Sequence, residues 1–212
     1  MRIFAIELSS RFGSIALIED GAVVAEKSWE ENNKNRQQLF DAMAALNVDW
    51  KGVDVFAVGR GPGAFSGMRI AFSVANSLAA PDGKPVYALN SGAAVAAQCG
   101  AKRTAVVGDA RRNQVWAGVF KGIELEKEFE LMALEELEDF IPAGALVASP
   151  DLERLAGLLA PYNLSENPAA AFPTAGTLGV LVHQRLESGV ATEPLEPLYM
   201  HPPVFIAPRF PA

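Results

Sequence analysis

The 212-residue sequence predicts a two-lobed α/β protein with a reduced second lobe and mixed sheets that each open with an antiparallel hairpin. Three observations carry that expectation. Three strand patterns in succession are followed by alternating strand and helix patterns, which joins a meander to parallel pairing. A strand–acid–turn–strand pattern occurs twice, as FAIE leading to SIALIEDG and as VVGD leading to QVWAGVFKG. The length suits one large domain or two compact lobes, at ~150 residues per domain. With 50% apolar and 20% charged residues the composition is ordinary for a globular chain.

The elements follow in order. Residues 3–8 read as a buried strand, 14–19 as its partner after a Ser/Gly turn, and Asp20-Gly21 as a tight hairpin turn before 22–28. A polar stretch leads to a helix over 36–46, where Leu39, Met43 and Leu46 fall at helical spacing. A buried strand over 53–59 enters the loop 60–67, then an apolar helix over about 68–80 that Pro81-Asp82-Gly83 ends. A strand at 85–89 and an Ala-rich helix at 91–99 complete a first lobe spanning 1–102.

The second lobe, 103–212, begins with strands at 104–108 and 114–120 joined by a short turn. Residues 124–131 alternate, placing Leu125, Phe129 and Leu131 on one face and most of the acids on the other. Helices are expected at 135–141, 152–159 and 175–187, with a strand at 145–148. From Pro194 onward six prolines argue for an extended, irregular tail.

Composition excludes several function classes. The single cysteine, Cys99, rules out a disulfide framework and a multi-cysteine metal centre. The two histidines, His183 and His201, stand too far apart in sequence to suggest a histidine metal site, and no metal is expected. Glu7 interrupts the opening apolar run, unlike a signal peptide, and no stretch approaches the ~20 apolar residues of a membrane span. The expectation is a soluble cytoplasmic protein in a reducing compartment, with no membrane partner.

The net charge of −7 is uneven: residues 1–106 carry eleven Lys/Arg against ten Asp/Glu, and residues 107–212 seven against fifteen. Eight acids fall within 124–139, a segment expected to form a solvated face. Such a surface repels phosphate backbones, so unaided nucleic-acid binding is not expected of this chain.

The densest chemical signal is the loop GPGAFSGMR, with Gly61, Gly63 and Gly67 between a buried strand and an apolar helix. Glycines there allow backbone N–H groups to approach a ligand at the positive end of the helix. The pattern is neither a phosphate-binding P-loop nor GxGxxG. A tight strand-to-helix turn capped by Ser66 or Gly67 is the alternative. Arg69 opposes the helix dipole in the first turn, which suits either a site or an ion pair.

At this point a family likeness becomes specific. GPGAFSGMRI resembles the GPGSFTGLRI signature of the bacterial TsaB, or YeaZ-like, proteins. The opening IFAIELSSRFGSIAL resembles their first hairpin, where an Asp commonly stands at the position of Glu7. The segment from Asp109 through Arg111 to Trp116 resembles the family's DAR…EVY, and EPLYM at 196–200 its terminal P-x-Y-L/M-R. The resemblance implies the two-lobed actin/hexokinase/Hsp70 (ASKHA) fold. It also implies a non-catalytic dimerisation subunit that works with a catalytic paralogue, TsaD, and an ATPase, TsaE. That system installs threonylcarbamoyl on the adenosine next to the anticodon of tRNAs reading ANN codons.

Against working members of that superfamily, the turns at Glu7–Ser9 and Asp109–Arg111 lack a close-approach glycine, and the second places arginines where phosphate would sit. The resemblance therefore implies a degenerate nucleotide-loop region made of Glu7, Ser9, Gly61, Gly63, Ser66, Gly67, Asp109 and Arg111. No cofactor is expected on this chain alone, although ATP or ADP could sit at the interface of the complex. Nor is there a His-x-x-x-His pair like the one by which TsaD holds its metal. Partner contact is expected from residues 36–46 and 69–80, with Arg36, Leu39, Met43, Arg69, Phe72, Ser73, Ala75 and Asn76 at the interface. On that reading a charge at Ala75 disrupts partner binding.

Three features depart from the family. Asn35–Gln38 stand where a His-Ser pair is common, His201 replaces the terminal Arg before a proline-rich extension, and 124–139 matches no family motif. The rival readings are an ASKHA-type ATPase or kinase, a glycoprotease-like hydrolase acting alone, and a homodimeric regulatory protein. ATP turnover by the isolated chain would favour the first.

Overall fold

The computed structural model describes residues 1–31, 37–190 and 193–202. The first sheet starts from β1 (Arg2–Glu7) and β2 (Phe12–Glu19), antiparallel with Ile3 opposite Ile18 and Glu7 opposite Ser14. Asp20 and Gly21 both take positive φ, as the expected two-residue hairpin requires, and lead to β3 (Ala22–Glu30), an exposed edge strand. Helix α1 (Gln38–Leu46) precedes the fully buried β4 (Val55–Gly59), which pairs parallel with β1. Helix α2 (Phe65–Ala79) and strand β5 (Val86–Leu89) follow, giving the strand order β3-β2-β1-β4-β5. Helix α3 (Ser91–Cys99), capped by the Asn90 side chain, leads out of this sheet.

The second sheet repeats the plan. Strands β6 (Arg103–Arg111), β7 (Gln114–Lys121) and β8 (Glu124–Ala133) form a meander, and β9 (Leu146–Ala148) returns parallel to β6, giving β8-β7-β6-β9. The order matches the first four strands of the first sheet, so the two sequence echoes are equivalent hairpins. A single parallel bridge between Val147 and Leu164 stands where the fifth strand would lie. Short helix α4 (Leu137–Phe140) and helix α5 (Leu152–Leu159) flank this sheet, and α6 (Ala175–Ser188) follows.

Strand alternation sorts the core into three layers. Phe4, Ile6, Phe56 and Val58 face outward from the first sheet onto α1 and α2, and Ala105, Val107, Val115 and Ala117 face outward from the second onto α4 and α5. Ile3, Ala5, Val106, Trp116 and Phe120 face a shared central layer with α3 and α6. There the helices are exchanged: α3 packs on β6 and β7, and α6 on β1, β2 and β4. The span 103–212 therefore holds the whole second sheet but returns its last helix to the first. Alternation in β8 falls as expected, with Leu125, Phe129 and Leu131 inward and Glu124, Glu126, Glu128 and Glu130 exposed.

Two helical segments depart most from the sequence expectation. Helix α2 starts at Phe65, one turn before the Met68 where the apolar period begins; Phe65 and Ser66 are exposed, so this first turn lies outside the buried stripe that the period marks. The expected helix over 135–141 divides into a 3₁₀ turn, Leu134–Glu136, and α4. Arg36 and the tail beyond Pro202 lie outside the described residues.

Candidate functional site

The two equivalent acids stand at the ends of β1 and β6. A cleft of about 2260 Å³ opens between the lobes, bordered by Ser9, Gly63, Asp109 and Arg111 and running out past Phe65 to Phe40 and Tyr199.

Glu7 ends β1 facing inward, with no exposed surface. Its Oε1 accepts the Ser9 N–H at 2.7 Å, and Oε2 lies 2.7 Å from the Ser91 hydroxyl. That hydroxyl in turn accepts the Gly61 N–H at 3.1 Å, and the Gly61 carbonyl accepts the Ser91 N–H at 2.8 Å. One carboxyl thus ties the end of β1, the start of the glycine loop and the start of α3 together. Burial pushes its pKa up, against the lowering effect of the hydrogen bonds from Ser9 and Ser91.

A raised carboxyl pKa means that the folded chain holds a proton the unfolded chain has released. Stability is then greatest below the unfolded value of 4.5 and falls as pH rises from there through the folded value. Glu7→Gln, neutral at every pH, is expected to flatten that part of the profile and to be the more stable form at neutral pH. Urea midpoints measured across pH 4–8 check this; parallel wild-type and variant profiles would refute it.

The glycine loop packs onto the 8–10 turn instead of standing open. Ala64 N–H donates to the Ser9 carbonyl at 2.7 Å. A Cβ on Gly63 would lie 2.0 Å from the Ser9 carbonyl oxygen, and one on Gly67 1.9 Å from that of Leu8. Gly63 and Gly67 therefore serve backbone-on-backbone packing of the loop and the start of α2 against the turn that follows β1. Gly61 has a φ of +89° and a cis bond to Pro62. Ser66, in the first turn of α2, is exposed on the cleft side.

The second turn closes on itself as well. Arg111, Arg112 and Asn113 all take left-handed φ, which makes a tight return from β6 to β7. The Asp109 carboxylate accepts the Arg111 N–H at 2.8 Å and pairs with the Arg111 guanidinium at 3.1 Å and that of Arg154 at 3.6 Å. Asp109 N–H donates to Asp151 at 3.0 Å. Burial, assisted by the Asp109 charge, holds the Asp151 pKa up, against that hydrogen bond and the nearby arginines. Each turn thus folds an amide back onto its own acid, Ser9 N–H onto Glu7 and Arg111 N–H onto Asp109. Among the described residues, no group of three or more His, Cys, Asp or Glu is placed to hold a metal ion.

The expected partner residues divide. Leu39, Phe72 and Ala75 are corrected from interface to core, with 6%, 8% and 0% exposure, because α1 and α2 need those stripes for their own sheet. Met43 is partly buried against the same cluster. Arg69, Ser73 and Asn76 are exposed on α2, although the Asn76 amide donates back to the Phe72 carbonyl at 2.8 Å. The Arg69 guanidinium lies over the Phe65 ring at 5.3 Å and Tyr199 stacks beside it at 4.9 Å. Phe40, Phe65 and Ile70 are 56%, 58% and 47% exposed. The sequence reading missed Phe40, Phe65 and Tyr199, along with Ser91. Phe65 and Ser91 sit at helix starts beside recognised motifs, the only signal available for them.

Two lobes of like strand order with exchanged helices, facing each other across a cleft at the paired acids, have the actin/hexokinase/Hsp70-like fold. The family model described as TsaD, tRNA N6-adenosine threonylcarbamoyltransferase, matches residues 23–178, and the chain belongs to this family as a TsaB/YeaZ-like member. It is 27% identical to the tRNA threonylcarbamoyladenosine biosynthesis protein TsaB of Escherichia coli (strain K12), over 94% of each chain. Two solved structures from Pseudomonas aeruginosa are each 25% identical. One, an uncharacterised protein with similarity to peptidase YeaZ, has a TM-score of 0.75 and covers 94% of this chain and 99% of its own. The other, YeaZ, has a TM-score of 0.72 and covers 93% and 99%.

Proposed function

We propose that this chain is a non-catalytic subunit of tRNA threonylcarbamoyladenosine biosynthesis. It binds a TsaD-like catalytic paralogue as a heterodimer, with a TsaE-like ATPase, for threonylcarbamoylation of the adenosine next to the anticodon in tRNAs reading ANN codons. The observation that carries this reading is the outer face of the first lobe. Phe40, Phe65 and Ile70 are large apolar side chains left half exposed among Arg69, Ser73 and Asn76. Small and apolar residues on a helix face suit close packing against a second helix pair. Membership of the family and the relative's name support the pathway.

The turns support the non-catalytic part. A phosphate needs free backbone N–H groups at the acid-bearing turns. Here Glu7 binds the Ser9 amide, Asp109 binds the Arg111 amide, and the glycine loop covers the first turn. Nucleotide on this subunit alone is therefore not part of the proposal; ATP or ADP would be held at the interface of the complex.

Native mass spectrometry of the chain with and without the paralogue tests the reading. A stable mixed dimer, with no ATP turnover by the isolated chain, is the expected result. A homodimer that refuses to exchange, or turnover by the chain alone, would overturn it.

A further inference from the structure

Residues 193–202 leave the first lobe and end on the second. Glu193 forms an isolated antiparallel bridge with Ala88 at the edge of the first sheet. Its carboxylate is gripped twice, by Asn90 Nδ2 at 2.6 Å and by an Arg60 terminal nitrogen at 3.3 Å. Both members of the Arg60–Glu193 pair are largely buried, with 10% and 18% of their side chains exposed. Arg60 Nε also donates to the Glu196 carbonyl at 3.0 Å, and Leu198 N–H donates back to the Arg60 carbonyl at 2.7 Å. Four polar contacts on one arginine and its neighbours make this end an anchor.

The far end is a hook. His201 Nε2 lies 2.7 Å from the carbonyl oxygen of Ala110 on β6 of the other lobe. That carbonyl is available because the β6–β7 ladder has a bulge there: Asp109 pairs with Val115 and Arg111 with Gln114, and Ala110 is skipped. A carbonyl out of its ladder needs another donor, and His201 supplies it. The Nε2–H tautomer and the imidazolium both present a donor at that nitrogen, so the hook needs no particular protonation state.

We propose that residues 193–202 are an interlobe latch, anchored on the first lobe at Arg60, Asn90 and Ala88 and hooked onto the bulge carbonyl of Ala110 by His201, which holds the cleft at one opening. The ion pair that bridges the mouth, Arg11 with Glu153 at 2.8 Å, is exposed at both ends and contributes little in water. The shared central layer joins the lobes through apolar contacts, and the latch adds a polar tie between them beside the cleft. A binding scaffold gains from that rigidity, since a partner then meets one surface shape. The latch stands independently of the partner assignment.

Hydrogen–deuterium exchange and spin-label distances on the full chain test it, with labels at Lys51 and Glu138 in a Cys99→Ser background. In His201→Ala, amide exchange at the β6–β7 turn should rise roughly five-fold or more and the interlobe distance distribution should broaden. His201→Gln, which keeps a side-chain N–H donor, should restore much of both. Unaltered exchange at that turn with an unaltered distance distribution, or faster exchange confined to 198–202, would overturn the latch.

Discussion

Ile70→Glu is expected to abolish co-purification with the catalytic paralogue while leaving the fold intact. Ile70 is 47% exposed on the side of α2 turned away from its sheet. Surface changes away from special features usually stay within about 0.5 kcal/mol, so the melting temperature should move by no more than about 2 °C. A carboxylate desolvated at the proposed interface without a partner costs about 2–4 kcal/mol of binding, some thirty- to a thousandfold in Kd. Titration calorimetry against the paralogue, with a circular dichroism melt of the variant, makes the measurement. An unaltered Kd would remove α2 from the interface.

Ala75→Glu, the substitution that the sequence pattern alone recommends for the same purpose, gives a different result. Ala75 has no exposed surface and packs in the outer core between α2 and the first sheet. An unpaired buried carboxylate costs several kcal/mol, a large part of the about 5–15 kcal/mol that keeps a domain folded. The variant should fail to accumulate as folded protein, so its loss of partner binding would report on stability.

The second large effect is Gly67→Ala. A Cβ there meets the Leu8 carbonyl oxygen at 1.9 Å, a backbone atom that cannot rotate away. Either α2 lifts off β1 or the 8–10 turn shifts, and Glu7 is bonded into that turn. Overpacking at the upper end of its usual range, less the helix propensity that alanine gains, leaves a net cost of about 2 kcal/mol. For a chain of this length that is a melting temperature lower by about 4–8 °C. Gly157→Ala is the control: it lies in α5 with nothing within 4 Å of the added Cβ. It should stabilise by about 0.5–1 kcal/mol. Equal melting temperatures for Gly67→Ala and wild type would refute the close packing of α2 on the 8–10 turn.

Much of this protein was legible in one dimension, because its determinants are local. Asp20-Gly21 specifies a two-residue hairpin through its positive φ values, and the alternation in 124–131 assigns the faces of β8 whatever lies against them. The two hairpin echoes and the TsaB-like signatures carried the fold class and the family. Nothing local distinguishes the side of α2 that meets its own sheet from the side that meets solvent. Ala75 and Ser73 are both small, and only the sheet behind them decides that one is core and the other surface. The same holds for Glu7: its type and place were visible, but the Ser91 hydroxyl that binds it lies 84 residues away in the chain. The exchange of α3 and α6, the bulge that frees the Ala110 carbonyl and the His201 that meets it are likewise matters of long-range packing. Sequence period reports how one segment divides into faces; which face is covered, and by what, depends on segments brought together only when the chain closes.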